Sequence, residues 1–318
     1  MQKERIILKK TISIILAAIL LILSFAACGA PENSEKSEKS ESAKGGIYNF
    51  EDYKSSEVFD IEKIKLSDGL AEKCVTYKFS YLSDGGIIKA YISIPNSAAE
   101  SEKPCKCILY NRGGNKEIGM LTDNSTANMC AVLDYIVIAS QYRGTDGSEM
   151  ADQFGGDDLH DVIKLIDLCQ NKFSFVDMTD FCVAGESRGG MMTYMTARQD
   201  SRVKRIIAVS ALSDLFKGYD ERKDMQDVIY SYIGGTPKER KAEYEKRSAI
   251  YWADEIKVPG LIIHSKNDKQ VSFKQAEEMY AKLKKTTDCT FITHDDDVHG
   301  IHKEDLKTIT DWLNKTTA

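Results

Sequence analysis

The sequence predicts an α/β domain, a mostly parallel sheet with helices on both faces, and three observations predict it. From residue 75 onward, apolar runs alternate with stretches of helical spacing, the order of repeated strand–helix units. Most of the runs are short and almost wholly apolar, as strands buried on both faces should be. A Gly-x-Ser-x-Gly pattern, residues 185–189, falls where one run gives way to a helix.

The elements are taken in chain order. Val75 to Tyr81 and Ile87 to Ile94 read as strands joined through Ser83-Asp84-Gly85-Gly86, a hairpin signal, and form an antiparallel addition to the sheet. Cys107 to Tyr110 and Tyr135 to Ser140 read as buried strands, with a helix over residues 122–133 between them. Leu159, Val162, Ile163, Ile166 and Cys169 repeat at helical spacing. Strand Phe181 to Ala184, helix Arg188 to Arg198 and strands Arg205 to Ser210 and Leu261 to His264 come next. Helix Phe273 to Leu283, strand Cys289 to Thr293 and helix Lys303 to Leu313 close the chain. Residues 215–255 exceed what one crossover helix requires and hold polar helical patterns, which predicts a lid insertion over the strand ends.

The N-terminus belongs to a different regime. A basic start, Met1 to Lys10, precedes an almost wholly apolar stretch over residues 11–27, the pattern of a secretory signal. Ser24-Phe25-Ala26-Ala27-Cys28 resembles the lipobox of bacterial lipoproteins, with Phe25 where leucine is usual; an uncleaved membrane anchor is the other reading. The resemblance implies lipidation at Cys28 and an extracytoplasmic enzyme held to the bacterial cell membrane. Residues 29–45 carry no apolar side chain larger than alanine and proline, too little to offset the entropy of ordering. The expected organisation is a signal peptide over 1–27, a lipidated cysteine and disordered tether over 28–46, and a catalytic domain over 47–318. The formal net charge is −6; removing residues 1–27 takes away four basic residues and one acidic one, leaving −9, which argues against nucleic-acid binding. Seven of the eight cysteines lie beyond Cys28, several inside strand-like runs, and read as small core residues rather than a disulfide framework.

Gly185-Glu186-Ser187-Arg188-Gly189 is a weak pattern alone, since a chain of this length shows it by chance roughly one time in ten. Its setting, strand then turn then helix, is that of the nucleophile elbow of the α/β-hydrolase fold, and makes Ser187 the candidate nucleophile. That fold orders its catalytic groups Ser, then Asp or Glu, then His. Asp268 comes after the strand ending at His264, at the sheet end where sites form in open parallel sheets. Three histidines, His294, His299 and His302, lie beyond the last strand and compete for the base, while His264 reads as a structural histidine. Histidines interleaved with Asp295 to Asp297 also suit a metal. No metal or cofactor is expected, because neighbours on one short loop rarely all point inward. Gly113 and Gly114 come directly after an early strand, where this fold builds half of its oxyanion hole; the other half is the N–H of Arg188.

These residues resemble the catalytic domain of the prolyl oligopeptidase family. His264-x-x-x-Asp268-x-x-Val271-x-Phe273 matches its acid segment, and Asp296-Asp297-Val298-His299-Gly300-Ile301 its histidine ending with one extra residue. Gln141-Tyr142-Arg143-Gly144, with Phe154-Gly155-Gly156-Asp157-Asp158 beyond it, matches the stretch ahead of the nucleophile. The resemblance covers about residues 75 to 315 and selects His299 as the base. It implies an acyl-enzyme hydrolase acting on a peptide or small-molecule substrate. Three departures bear on that substrate. The length leaves no room for the N-terminal β-propeller of the family's full-length peptidases. Arg188 stands where tyrosine is frequent, and Arg112 where tyrosine or histidine is usual. With Tyr142, Arg112 is expected at the substrate, and the two guanidinium groups favour a carboxylate-bearing one; the alternative pairs them with Glu186 or Asp157. Peptidase and carboxylesterase both remain open, with a solute-binding lipoprotein as a third reading. The oligomeric state is not legible.

Overall fold

The computed structural model describes residues 49–99, 101 and 103–315. The signal segment 1–27, Cys28 and the tether 28–46 lie outside the described residues. Among those described, no helix is long and apolar enough to cross a membrane.

The strands are β1 (Val58–Lys63), β2 (Cys74–Ser83), β3 (Gly86–Pro95), β4 (Cys105–Asn111), β5 (Ile136–Ser140), β6 (Val176–Glu186), β7 (Arg205–Val209), β8 (Gly260–Ser265) and β9 (Cys289–His294). They form a sheet in the order β1-β2-β3-β5-β4-β6-β7-β8-β9. The three pairings β1–β2, β2–β3 and β3–β5 are antiparallel, and every pairing from β5 to β9 is parallel. Besides two single-turn helices, Asp68–Ala71 and Asn96–Ala99, the α-helices are α1 (Ser125–Leu133), α2 (Asp158–Asn171), α3 (Arg188–Gln199), α4 (Leu215–Glu221), α5 (Gln226–Ile233), α6 (Lys241–Lys246), α7 (Phe273–Leu283) and α8 (Asp305–Lys315). This is the predicted fold class.

Local chemistry accounts for most boundaries. In the β2–β3 hairpin Ser83 pairs with Gly86, leaving Asp84 (φ 48°) and Gly85 (φ 79°) as a two-residue turn of the primed type that matches strand twist. β6 begins well before the apolar run at Phe181, because Val176 and Asp177 pair with Cys105 and Lys106 of β4. β1 was not expected: only Val58 is fully buried in its Val-Phe-Asp-Ile-Glu-Lys sequence. Its charges suit an edge strand, where they discourage pairing with another chain. Helix α3 is buried over residues 188–196 and lies against the sheet directly behind the nucleophile turn. The seven described cysteines are free thiols, five of them buried, as core residues should be. The insertion between β7 and β8 folds as α4, α5 and α6 with short connecting turns.

A Cβ added to Gly85 would meet no atom within 4 Å, so only its positive φ demands glycine. Gly85→Ala should therefore cost about 1 kcal/mol through backbone strain alone, read as a lower midpoint in urea with an unchanged slope, and Gly85→Asn should recover much of it.

Candidate active site

The turn between β6 and α3 is one residue long. Ser187 occupies it at φ 57° and ψ −120°, a conformation that an L-residue holds only when its surroundings impose it. Its N–H donates to Val209 O of β7 at 3.0 Å, and its C=O accepts from Gly190 N at 3.0 Å and Leu212 N at 3.1 Å. The flanking glycines allow the approach. A Cβ on Gly189 would lie 1.9 Å from Asn111 O, and one on Gly185 2.2 Å from Gly189 O, so neither position accepts a side chain. Ser187 is thereby presented at the N-terminus of α3, where the helix dipole favours developing negative charge.

Asp268 lies in the loop between β8 and α7. Its Oδ1 accepts the N–H groups of Gln270 (2.7 Å) and Val271 (3.1 Å), while its Oδ2 lies 2.8 Å from His299 Nδ1. His264 Nε2, 2.9 Å from Val271 O, reaches the same Oδ2 at 3.3 Å. Burial by itself would raise the acid's pKa; the hydrogen bonds from His264, His299 and Gln270 N–H outweigh it and hold the carboxyl well below the ordinary carboxylate range. His264, which the sequence marks as merely structural, thus bears directly on Asp268. The signal for this role is its i, i+4 spacing to the acid.

Of the three competing histidines only His299 meets Asp268. The rings of His294 and His302 turn instead to Asp305. The loop's register is fixed at the next residue, where Gly300 N–H donates to Ser210 Oγ at 3.1 Å. Since Nδ1 faces Asp268, Nε2 is the His299 nitrogen left for Ser187, and both residues line one cavity. Among the described residues no hydrogen bond joins Ser187 Oγ to His299; such bonds are frequently long before substrate binds.

Gly113, just beyond β4, is pressed against Ser187: an added Cβ would stand 3.4 Å from Ser187 Cβ and 3.1 Å from Glu186 O. Among the described residues neither the Gly113 N–H nor the Arg188 N–H has a backbone or side-chain acceptor. The side chains of the two arginines go elsewhere. Arg188 is buried, bidentate to Asp152 (2.8 and 2.7 Å), bonded to Asp158 Oδ2 (2.5 Å), and packed on the rings of Tyr142 and Phe154. It does pair with carboxylates, but with these two rather than Glu186 or Asp157. Arg112 and Tyr142, expected at the substrate, are corrected: neither lines the cavity. The Arg112 guanidinium donates to the carbonyls of Gln141, Gly113, Ile118 and Lys116 and so holds the loop over Gly113 in shape. The Tyr142 hydroxyl, wholly buried, is taken by Asn111 Oδ1 and Arg112 O, both at 3.3 Å.

The cavity at Ser187 measures about 460 Å³. Ser187, His299, Glu186, Arg222, Asp224 and Gln270 are among its polar lining, and Ile118, Phe154, Leu212, Met225, Ile229 and Val271 contribute apolar wall. Met225 and Ile229 come from the insertion after β7, which therefore borders the site. Burial raises the Glu186 pKa, against the opposing influence of His299.

Fold and site define a serine hydrolase of the α/β-hydrolase fold. The chain belongs to the prolyl oligopeptidase family, whose family model matches residues 122–318. It is 31% identical over 209 residues to the uncharacterized peptidase YtmA of Bacillus subtilis (strain 168), covering 65% of this chain and 79% of that protein. In structure it is similar to the acylaminoacyl peptidase of Pyrococcus horikoshii, with a TM-score of 0.67 at 18% identity, over 80% of this chain and 44% of that one. It is also similar to the acetyl xylan esterase from Paenibacillus sp. R4, with a TM-score of 0.63 at 16% identity, over 83% of this chain and 90% of that one. The two structural likenesses speak for the fold. The chain spans less than half of the acylaminoacyl peptidase. Family membership removes the solute-binding alternative.

Removing the Arg188 guanidinium would leave Asp152 and Asp158 buried without their cation. Arg188→Met should therefore lower stability by about 3–5 kcal/mol, measured by chemical denaturation, and Arg188→Lys should recover only part, because an ammonium cannot reproduce the bidentate fork.

Proposed function

We propose that this protein hydrolyses ester or amide bonds through an acyl-enzyme, with Ser187 as nucleophile, His299 as general base and Asp268 as the orienting acid. The observation that carries the reading is the Asp268–His299 pair, opening onto the cavity where strained Ser187 is presented. In this mechanism His299 Nε2 takes the Ser187 Oγ proton as Oγ attacks the substrate carbonyl. The N–H groups of Gly113 and Arg188 receive the developing oxyanion. His299 then returns the proton to the leaving alcohol or amine, and water repeats the sequence on the acyl-enzyme. Asp268, kept ionised by its donors, holds the imidazole tautomer and stabilises the imidazolium.

The peptidase relatives favour peptide substrates. Acyl esters are the second reading, favoured by the esterase likeness over nearly the whole of that shorter chain. The two guanidinium groups are internally paired, so a carboxylate-bearing substrate is no longer part of the reading. A panel of p-nitrophenyl esters and aminoacyl nitroanilides separates the two. Ser187→Ala should abolish covalent labelling by a fluorophosphonate, and labelling that persists on another serine would refute the nucleophile. His299→Ala should lower turnover on the order of 10³-fold or more, whereas His294→Ala and His302→Ala should cost far less, because those rings face Asp305.

On the same reading the enzyme works outside the cytoplasm, tethered by a lipidated Cys28. Its support is the basic and then apolar segment over residues 1–27 and the small residues before the cysteine. In a bacterial host the protein should be recovered in the membrane fraction and Cys28→Ser should shift its mobility on a gel, whereas a mature N-terminus elsewhere within residues 29–45 would refute lipidation at Cys28.

A further inference from the structure

The loop that brings His299 to the triad gathers a second constellation on its other side. His294, at the end of β9, lies with Nε2 2.8 Å from Asp305 Oδ1. His302 lies with Nδ1 3.3 Å from Asp305 Oδ2, and the two imidazole rings are close, with centroids 3.9 Å apart and planes tilted by 32°. Ligand atoms of all three residues fall within 4.8 Å of one another. Sequence spacing alone disfavours a metal, because neighbours on a short loop rarely converge; two of the loop's histidines do converge here, on the first residue of α8.

Which His302 nitrogen carries a proton decides what the arrangement can hold. His302 Nε2 lies 2.8 Å from Asp296 Oδ2, so a neutral His302 uses its one N–H there. Its Nδ1 then aims a lone pair at the Asp305 carboxylate, which already accepts the His302 N–H at 2.8 Å. A protonated His302 would donate to both carboxylates, whereas a neutral one turns this lone pair to Asp305 and leaves the place between them to a cation. An imidazole whose far nitrogen donates to a carboxylate is the usual form of a metal-ligating histidine, oriented and made more basic by its partner.

We propose that His294 Nε2, His302 Nδ1 and the Asp305 carboxylate bind one divalent transition-metal ion of the zinc type, with Asp296 orienting His302 and water completing the shell. Two imidazole nitrogens and a carboxylate oxygen are ligands that Zn²⁺ accepts at about 2.0–2.2 Å, which puts neighbouring ligand atoms roughly 3.3 Å apart in a tetrahedron. The rings need shift only on the order of an ångström to reach that spacing. Asp305 is fully buried and the two histidines are nearly so, with side chains 17% and 10% exposed, so the donors are largely pre-positioned. The ion stands apart from the serine chemistry. It ties the end of β9 to the start of α8 and closes the loop that carries His299.

The test is calorimetric titration of the whole protein with Zn²⁺ near neutral pH, with Co²⁺ absorption as a report of coordination. One equivalent is expected to bind wild type and His299→Ala alike, to raise the thermal midpoint, and to give the intense visible bands of four-coordinate Co²⁺. His294→Ala and His302→Ala should each weaken binding at least tenfold. Asp296→Ala, which removes an exposed carboxylate and no ligand, should weaken it about tenfold while leaving the fold intact. The proposal is overturned if wild type binds no ion, which would mean that an imidazolium fills the place. It is equally overturned if all variants bind alike, or if His299→Ala abolishes binding while His294→Ala does not, which would put the ion on the Asp268–His299 pair.

Discussion

Much of the site depends on one buried cation. Arg188 comes directly after Ser187, so its backbone N–H lies at the first turn of α3, while its side chain runs back into the protein. There the guanidinium holds Asp152 and Asp158, donates to Gly114 O at 3.2 Å and lies between two aromatic rings. Asp158 accepts in turn from Gly155 N and Gly156 N, so the charge network fixes the start of α2, the loop around Asp152 and the loop beyond Gly113 together. A charge this deep is tolerated only because two carboxylates and a carbonyl meet it at hydrogen-bond distance. Ser187 can then keep a strained backbone, since the residue after it cannot relax.

The acid is governed in the same way, by the donors around it. Asp268 is surrounded by N–H groups from two backbone positions and two imidazoles, and each favours the ionised form that burial disfavours. A carboxylate so held lends stability that is present above its ordinary unfolded pKa and lost as acid protonates it in the native state. His264 has a double role. Its Nε2 anchors the Val271 carbonyl and so shapes the turn that offers Val271 N–H to the acid.

What the sequence made legible was local. The hairpin turn, the elbow, the periodicity of α2, α3 and α7, and the loop that delivers Asp268 each carry their signal within about ten residues. β1 escaped notice because it is short and half of its residues are charged, so the alternation in Phe59-Asp60-Ile61-Glu62 is brief. The direction of Arg112 and Arg188 was not legible for a different reason. A guanidinium brought close to Ser187, by the chain or by the fold, can point either into the cavity or behind it, and what decides is whether partners lie behind. The distant ones among those partners, Asp152, Asp158 and the Gln141 carbonyl, come from other segments and become neighbours only through the fold. The same holds for His264, whose neighbour in sequence spacing is also its partner, but whose contact exists only because β8 ends where it does.

The loop from β9 to α8 shows how a short segment divides its chemistry. Three histidines occupy nine residues, and the backbone sends one to Asp268 and two to Asp305. Gly300, at φ 131°, allows the division. An ideal Cβ there would stand 3.1 Å from the Glu186 carboxylate, and the glycine's N–H is taken by Ser210 at the end of β7. The chain is therefore pinned to the sheet immediately after His299, and the residues beyond the pin must turn away. The turn ends at α8, where Asp305 reaches back to the His302 N–H in the manner of a capping residue.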